Sequence, residues 1–130
     1  MSEKDLRQSP MMAHLLDALK DGQDIGHYGR LAFVMVARHF LDQKNCLRWL
    51  CKDKGVTEED ARALWQQVEE RDYSPPRRER ILAWQQQQEF PICPNPDDPD
   101  SCNVYRELTF PDDVYERIQD YHEEKAEAGR

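Results

Sequence analysis

Asp72-Tyr73-Ser74-Pro75-Pro76-Arg77-Arg78-Glu79-Arg80-Ile81-Leu82 sets two prolines directly before three arginines within four positions. Each proline fixes its own φ and biases the residue before it toward extended backbone. Proline also opens helices, because the first N–H groups there have no intrahelical partner. The stretch therefore predicts a turn over 72–75 and a helix from about Pro76 to Gln88, with Ile81, Leu82 and Trp84 as its apolar residues. Arg77, Arg78 and Arg80 then fan out from the first turn, where the helix dipole mildly disfavours cations. A basic cluster at that end calls for an anion.

Upstream of this turn the chain reads as helices. Thr57-Glu58-Glu59-Asp60 resembles a capping box with Asp in the usual Glu position, and it opens a helix with Ala61, Leu64, Trp65 and Val68 on one face. A short helix at about 44–53 presents Leu47 and Leu50, with Trp49 beside them. The helix before it, about 28–41, is apolar nearly all round from Leu31 to Leu41, the pattern of a buried central element. Ser9-Pro10 reads as an N-cap followed by proline at the first helical position. Met12, Leu15, Leu16 and Leu19 then recur at helical spacing, up to Asp21-Gly22. Gly26 and Gly29 mark the turn between these two helices.

Downstream the period breaks. Residues 89–101 hold four prolines and three aspartates around Cys93, the composition of a loop or linker. Val104 to Phe110 predicts a short extended segment. Phe110-Pro111-Asp112-Asp113 opens a last helix with Val114, Ile118 and Tyr121 on one stripe. The expected architecture is all-α, a compact multi-helix single domain over residues 1–130. Its parts are a flexible N-terminus (1–8), a helical core (9–88), an irregular segment (89–110), a C-terminal helix (111–124) and a frayed tail (125–130).

The net charge of −8 is unevenly placed. Residues 1–84 carry 14 Lys and Arg against 14 Asp and Glu, while residues 85–130 carry 4 against 12. The acidic end reads as a solubilising tail, or as a flank that repels nucleic acid from one side. No stretch approaches the roughly 18–20 apolar residues of a membrane span. The polar opening Met1-Ser2-Glu3-Lys4-Asp5 has no signal-peptide pattern, so the expectation is a cytoplasmic protein with no membrane partner.

That location makes disulfides rare, which frames the cysteines Cys46, Cys51, Cys93 and Cys102. Cys46 and Cys51 lie about 140° apart on a helix and do not chelate one ion together. The first expectation is unrelated buried thiols. The alternatives are a metal or cluster site using Cys93, Cys102 and others, and a redox-labile Cys93–Cys102 pair. Nothing in the sequence makes a catalytic centre. There is no glycine-rich phosphate loop, and His14, His27, His39 and His122 form no metalloprotease motif. The Asp97-Asp98-Pro99-Asp100 group reads as a solvated acidic loop, with a divalent-cation site as the alternative. Anion binding is better represented. His27-Tyr28-Gly29-Arg30 stands at the mouth of the apolar helix, where free N–H groups, an imidazole and a guanidinium are donors. Arg30 paired with Asp24 is the alternative. With Arg77, Arg78 and Arg80 at a second helix start, the two clusters predict a phosphate-recognition surface, with Tyr28 or Tyr73 available to stack on a base.

Taken in order, these pieces resemble the C-terminal iron–sulfur domain of the large (regulatory) subunit of archaeal and eukaryotic DNA primase. Ser9-Pro10-Met11-Met12 with the helix behind it is similar to that family's Pro-x-Cys opening, and His27-Tyr28-Gly29-Arg30 to its His-x-x-Arg. Asp72-Tyr73-Ser74-Pro75 is similar to its Tyr-Thr/Ser-Pro turn, and Ile92-Cys93-Pro94 to its Cys-Pro segment. Cys102 falls near a further ligand position. The resemblance spans roughly residues 9–105. It departs from the family at the ligands of the 4Fe–4S cluster: Met12 stands at the first and Arg78 at the second. A thioether is a poor ligand for such a cluster and arginine is none. The resemblance thus implies a non-enzymatic domain that kept the fold and lost the cofactor, with a 4Fe–4S cluster as the alternative. It implies binding of single-stranded DNA or a primer–template junction, contact with the primer's 5′-triphosphate through His27 and Arg30, and work beside a catalytic primase or polymerase subunit in DNA replication. Arg78 adds a cation to that face. The competing expectation is a protein–protein adaptor that docks by the C-terminal stripe of Val114, Ile118 and Tyr121.

Overall fold

The structure is a computed structural model and describes residues 2–118. The described chain is all-α and has no strand. Its helices are α1 (Glu3–Leu6), α2 (Pro10–Lys20), α3 (Gly26–Ala37), α4 (Gln43–Leu50), α5 (Glu58–Arg71), α6 (Arg78–Gln85) and α7 (Val104–Glu107). Residues 112–118 form a further helix, α8. None is long and apolar enough to cross a membrane.

α3 is the hub, packed against α2, α4, α5 and α6. Its Ala32, Phe33, Val34, Val36 and Ala37 are fully buried, as an all-round apolar helix requires. Two glycines let it start where it does. Gly26 has φ +79°, and Gly29 packs so closely that a Cβ there would sit 3.2 Å from Ile25 Cβ. Around the hub the capping chemistry follows the sequence. Ser9 Oγ accepts from the Met12 N–H, and the Asp42 carboxylate accepts from the Asn45 N–H. Thr57 and Asp60 cap each other reciprocally at the start of α5.

Four expectations are corrected. Residues 2–8 are not a loose end: Leu6 in α1 is fully buried, and Arg7 bonds both Glu3 and Asp17, tying α1 to α2. α6 starts at Arg78 rather than Pro76, because Arg77 stays extended (φ −83°, ψ 163°) as its N-cap. Pro75 and Pro76 lie buried in the extended run before it. Residues 104–107 are helical instead of extended, since the Asn103 carbonyl accepts from the N–H groups of Arg106 and Glu107. Lastly, Cys93 and Cys102 are not unrelated thiols but a disulfide, with Cα atoms 5.8 Å apart. Both are core residues, so burial of the 89–110 segment brings them together. Cys46 is a free buried thiol and Cys51 a free exposed one.

The start of the C-terminal helix folds back on the domain. Val114 is fully buried, and Tyr115 Oη accepts from the Phe110 N–H. A docking stripe built on Val114 is therefore already used within the chain. Tyr121 lies outside the described residues.

Candidate nucleic-acid interface

The extended run from Tyr73 to Arg77 forms one wall of a groove of about 790 Å³. Arg77, Glu79 and Arg80 line it from the α6 side and Arg117 from α8, with Tyr73 and Tyr105 also in its lining. Tyr105 Oη donates to the Pro75 carbonyl. Burial pushes its phenol up to about 12, so this donor stays protonated at any physiological pH.

The groove is braced from behind by Asp72, which ends α5 in the left-handed region at φ 50°. Its carboxylate accepts from Arg38 Nη2 at 2.7 Å and from Arg117 Nη1. Arg38 also donates to the Tyr73 carbonyl at 3.0 Å. The hydrogen bond from Arg38, with the nearby Arg117 charge, holds the Asp72 carboxyl below its ordinary range. His39 sits against the same cluster. Burial first, then the Arg38 and Arg117 charges, lowers its imidazole from 6.5 to about 4.

At the start of α3, the three site residues separate in role. Arg30 Nη1 reaches Asp24 and Asp53, each at 3.1 Å. The Asp53 side chain is 0% exposed, and it also accepts from the N–H groups of Ile25 (3.0 Å) and Gly55 (2.7 Å). A buried carboxylate needs such a set of donors to remain charged. Arg30 is thus a buttress under the start of α3: the pairing with Asp24 holds, and Asp53 joins it. His27 is exposed. Tyr28 is half-buried and does not stand open for stacking. Its ring lies on Trp84 at 5.6 Å between centroids and 17° between planes, while its N–H donates to Gln88 Oε1.

Trp84 has a second role that the sequence does not show. It packs against the core as its apolar character predicts, and it also links the two clusters. The Arg80 guanidinium sits 6.0 Å over its ring, Tyr28 stacks on it, and His27 meets Tyr28 edge-on at 5.3 Å. Cation, indole, phenol and imidazole form one ladder from the groove to the α3 start. The available signal was the four-residue spacing of Arg80 and Trp84, which puts them on one helix face.

Arg78 departs from its neighbours. It turns away into the 94–101 loop, where Nη2 donates to the carbonyls of Pro96 (2.8 Å) and Asp98 (3.2 Å). The structure therefore brings together Arg77, Arg80 and Tyr73 at the groove, joins Arg80 to Tyr28 and His27, and leaves Arg30 and Arg78 in internal contacts. A 4Fe–4S cluster does not fit these residues. The sulfurs of Cys93 and Cys102 are bonded to each other, Met12 is a buried thioether, and Arg78 carries positive charge. In the disulfide, Cys93 and Cys102 present no free thiolate to a metal or cluster.

No protein-family model, curated protein or solved structure matches this chain.

Proposed function

We propose that the domain binds the phosphate backbone of single-stranded or primed nucleic acid, as a non-catalytic accessory domain similar to the C-terminal domain of the primase large subunit. The observation that carries this reading is the Arg80–Trp84–Tyr28–His27 ladder. It joins the two basic segments that the motif order singled out and continues into a groove flanked by Arg77 and Arg117. Cations interleaved with aromatic faces are how sequence-tolerant single-strand sites are built. Trp84 is half-buried and already engaged by Arg80 and by Tyr28, which favours phosphate contact over insertion of a base. The chemistry of primer synthesis is left to a separate primase or polymerase subunit, and Arg30 supports the contact surface from beneath.

The test is a titration of a primed template bearing a 5′-triphosphate against its 5′-hydroxyl counterpart, by fluorescence anisotropy over a series of salt concentrations. Binding is expected to weaken with salt with a log–log slope of about −2 to −3, as for three or four neutralised phosphates of a single strand. Arg80→Ala is expected to weaken it by about 10-fold or more, the lower end of what one charge-assisted contact contributes. No binding at the lowest salt, or full binding by Arg80→Ala, would remove this reading.

A further inference from the structure

The disulfide and Arg78 belong to one device. The loop closed by Cys93 and Cys102 contains both carbonyls that hold the Arg78 guanidinium, those of Pro96 and Asp98. Among the described residues these carbonyls are the hydrogen-bond partners of the Arg78 side chain, and its buried Nε is without one. The loop is itself cross-braced by Ser101, whose single Oγ–H lies within hydrogen-bond reach of the carbonyls of both Asp98 (2.8 Å) and Asn95. It is pinned at its start, where Gln85 Oε1 of α6 accepts from the Cys93 N–H at 2.8 Å. At its far end Cys102 is held at φ +60°, a left-handed conformation that residues other than glycine adopt only at a cost. The covalent bond thus presses a loop containing Asp97, Asp98 and Asp100 against the first turn of α6, two residues before Arg80.

We infer that the Cys93–Cys102 disulfide is a redox-operated clamp on Arg78. Closed, it keeps the guanidinium on the loop carbonyls. Opened, it lets Cys102 relax and the loop leave α6, so that Arg78 becomes a further free cation beside Arg80. The opening reaction is thiol–disulfide exchange with a dithiol. One thiolate of the reductant attacks a protein sulfur and expels the other as a thiolate. The second reductant thiol then displaces the mixed disulfide. Cys93 and Cys102 end as thiols, and the reductant as its own cyclic disulfide. Cys93 is 0% and Cys102 2% exposed, so exchange proceeds through a locally opened loop, and the clamp responds to sustained reducing conditions rather than to brief exposure. The consequence for ligand affinity rests on the nucleic-acid reading above; the clamp itself does not.

The clamp is tested without any nucleic acid. Cys93→Ser/Cys102→Ser and wild type are treated with phenylglyoxal, and modification of Arg78 and Arg80 is followed by mass spectrometry. Arg78 is expected to react at least about 5-fold faster in the double variant, with Arg80 little changed, as release of a locally held segment requires. In parallel, amide exchange of oxidised wild type is compared with wild type kept in a phosphine reductant, so that the test stands even if the variant does not fold. The amides of Asp98 and Ser101, which donate to Asn95 and Asp98, should lose protection on reduction while those of α3 keep theirs. Unchanged Arg78 reactivity in a folded variant, or unchanged loop protection in reduced wild type, overturns the clamp. If Arg78 is released but neither state binds oligonucleotide, the clamp stands and the nucleic-acid reading falls. If both hold, the reduced form binds primed DNA the more tightly.

Discussion

Arg30 shows how one side chain can carry a motif for structural reasons. Its two carboxylate partners differ: Asp24 is largely exposed, whereas Asp53 is sealed beneath the start of α3. An exposed pair contributes little, but removing the cation from a sealed carboxylate leaves charge without enough donors. Arg30→Ala is therefore expected to cost about 1–3 kcal/mol in stability, read as a lower urea midpoint. Affinity per folded molecule should fall less than in Arg80→Ala. A variant that keeps its midpoint yet loses binding would place Arg30 at the ligand instead. At this scale the sequence was legible only in part. It marked Arg77, Arg80, Tyr73 and His27 by charge, aromaticity and position. It gave Trp84 as an apolar residue of α6, which its packing against the core bears out, but a tryptophan has the same pattern whether or not its ring also meets a cation. It also missed the direction of Arg78, which depends on a loop folded back by Cys93 and Cys102.

Among the elements, the helices that could be read were those with enough turns to show a period and a side chain to cap them. α2 and α5 meet both conditions, and α3 was visible from its unbroken apolar run. α1 and α7 have four residues each, too few for a period, so their helicity comes from burial of Leu6 and Val104. The short run from Val104 to Phe110 read as extended for the same reason. The entry to α3 offers a sharper test. The Gln88 side chain donates to the carbonyls of Ile25 (2.9 Å) and Phe90 (3.0 Å) and accepts from the Tyr28 N–H, tying the segment after α6 to the start of α3. A Cβ on Gly26 would lie 2.4 Å from Gln88 Oε1, on a backbone at φ +79°. Gly26→Ala meets both strain and collision, and should destabilise by about 2 kcal/mol. Amide exchange should rise first at Tyr28. If exchange there is unchanged, the Gln88 contact is not what positions Tyr28.

The whole molecule has a pH dependence set by groups around Asp72. His39 has a folded value near 4 against 6.5 when free, so the native state binds fewer protons between those limits. Its contribution is complete above about 6.5 and is lost as pH falls toward 4, on the order of 2–3 kcal/mol. Asp72, also lowered, acts in the same direction at more acid pH. The urea midpoint is expected to drop steeply from pH 7 to pH 4, and His39→Gln should flatten that slope; an equally steep variant would place the sensitivity elsewhere. Asp72 has a further, kinetic consequence. Its partners Arg38 and Arg117 lie 34 and 45 residues away in the chain, at the C-cap of α3 and on α8, so the junction closes only after three distant segments have docked. Contacts that demand so much loop closure form late. Asp72→Asn keeps a residue tolerant of the left-handed backbone while removing the charge. It should speed unfolding and leave the refolding arm of a chevron plot almost unmoved, making this junction the last part of the domain to lock and the first to let go.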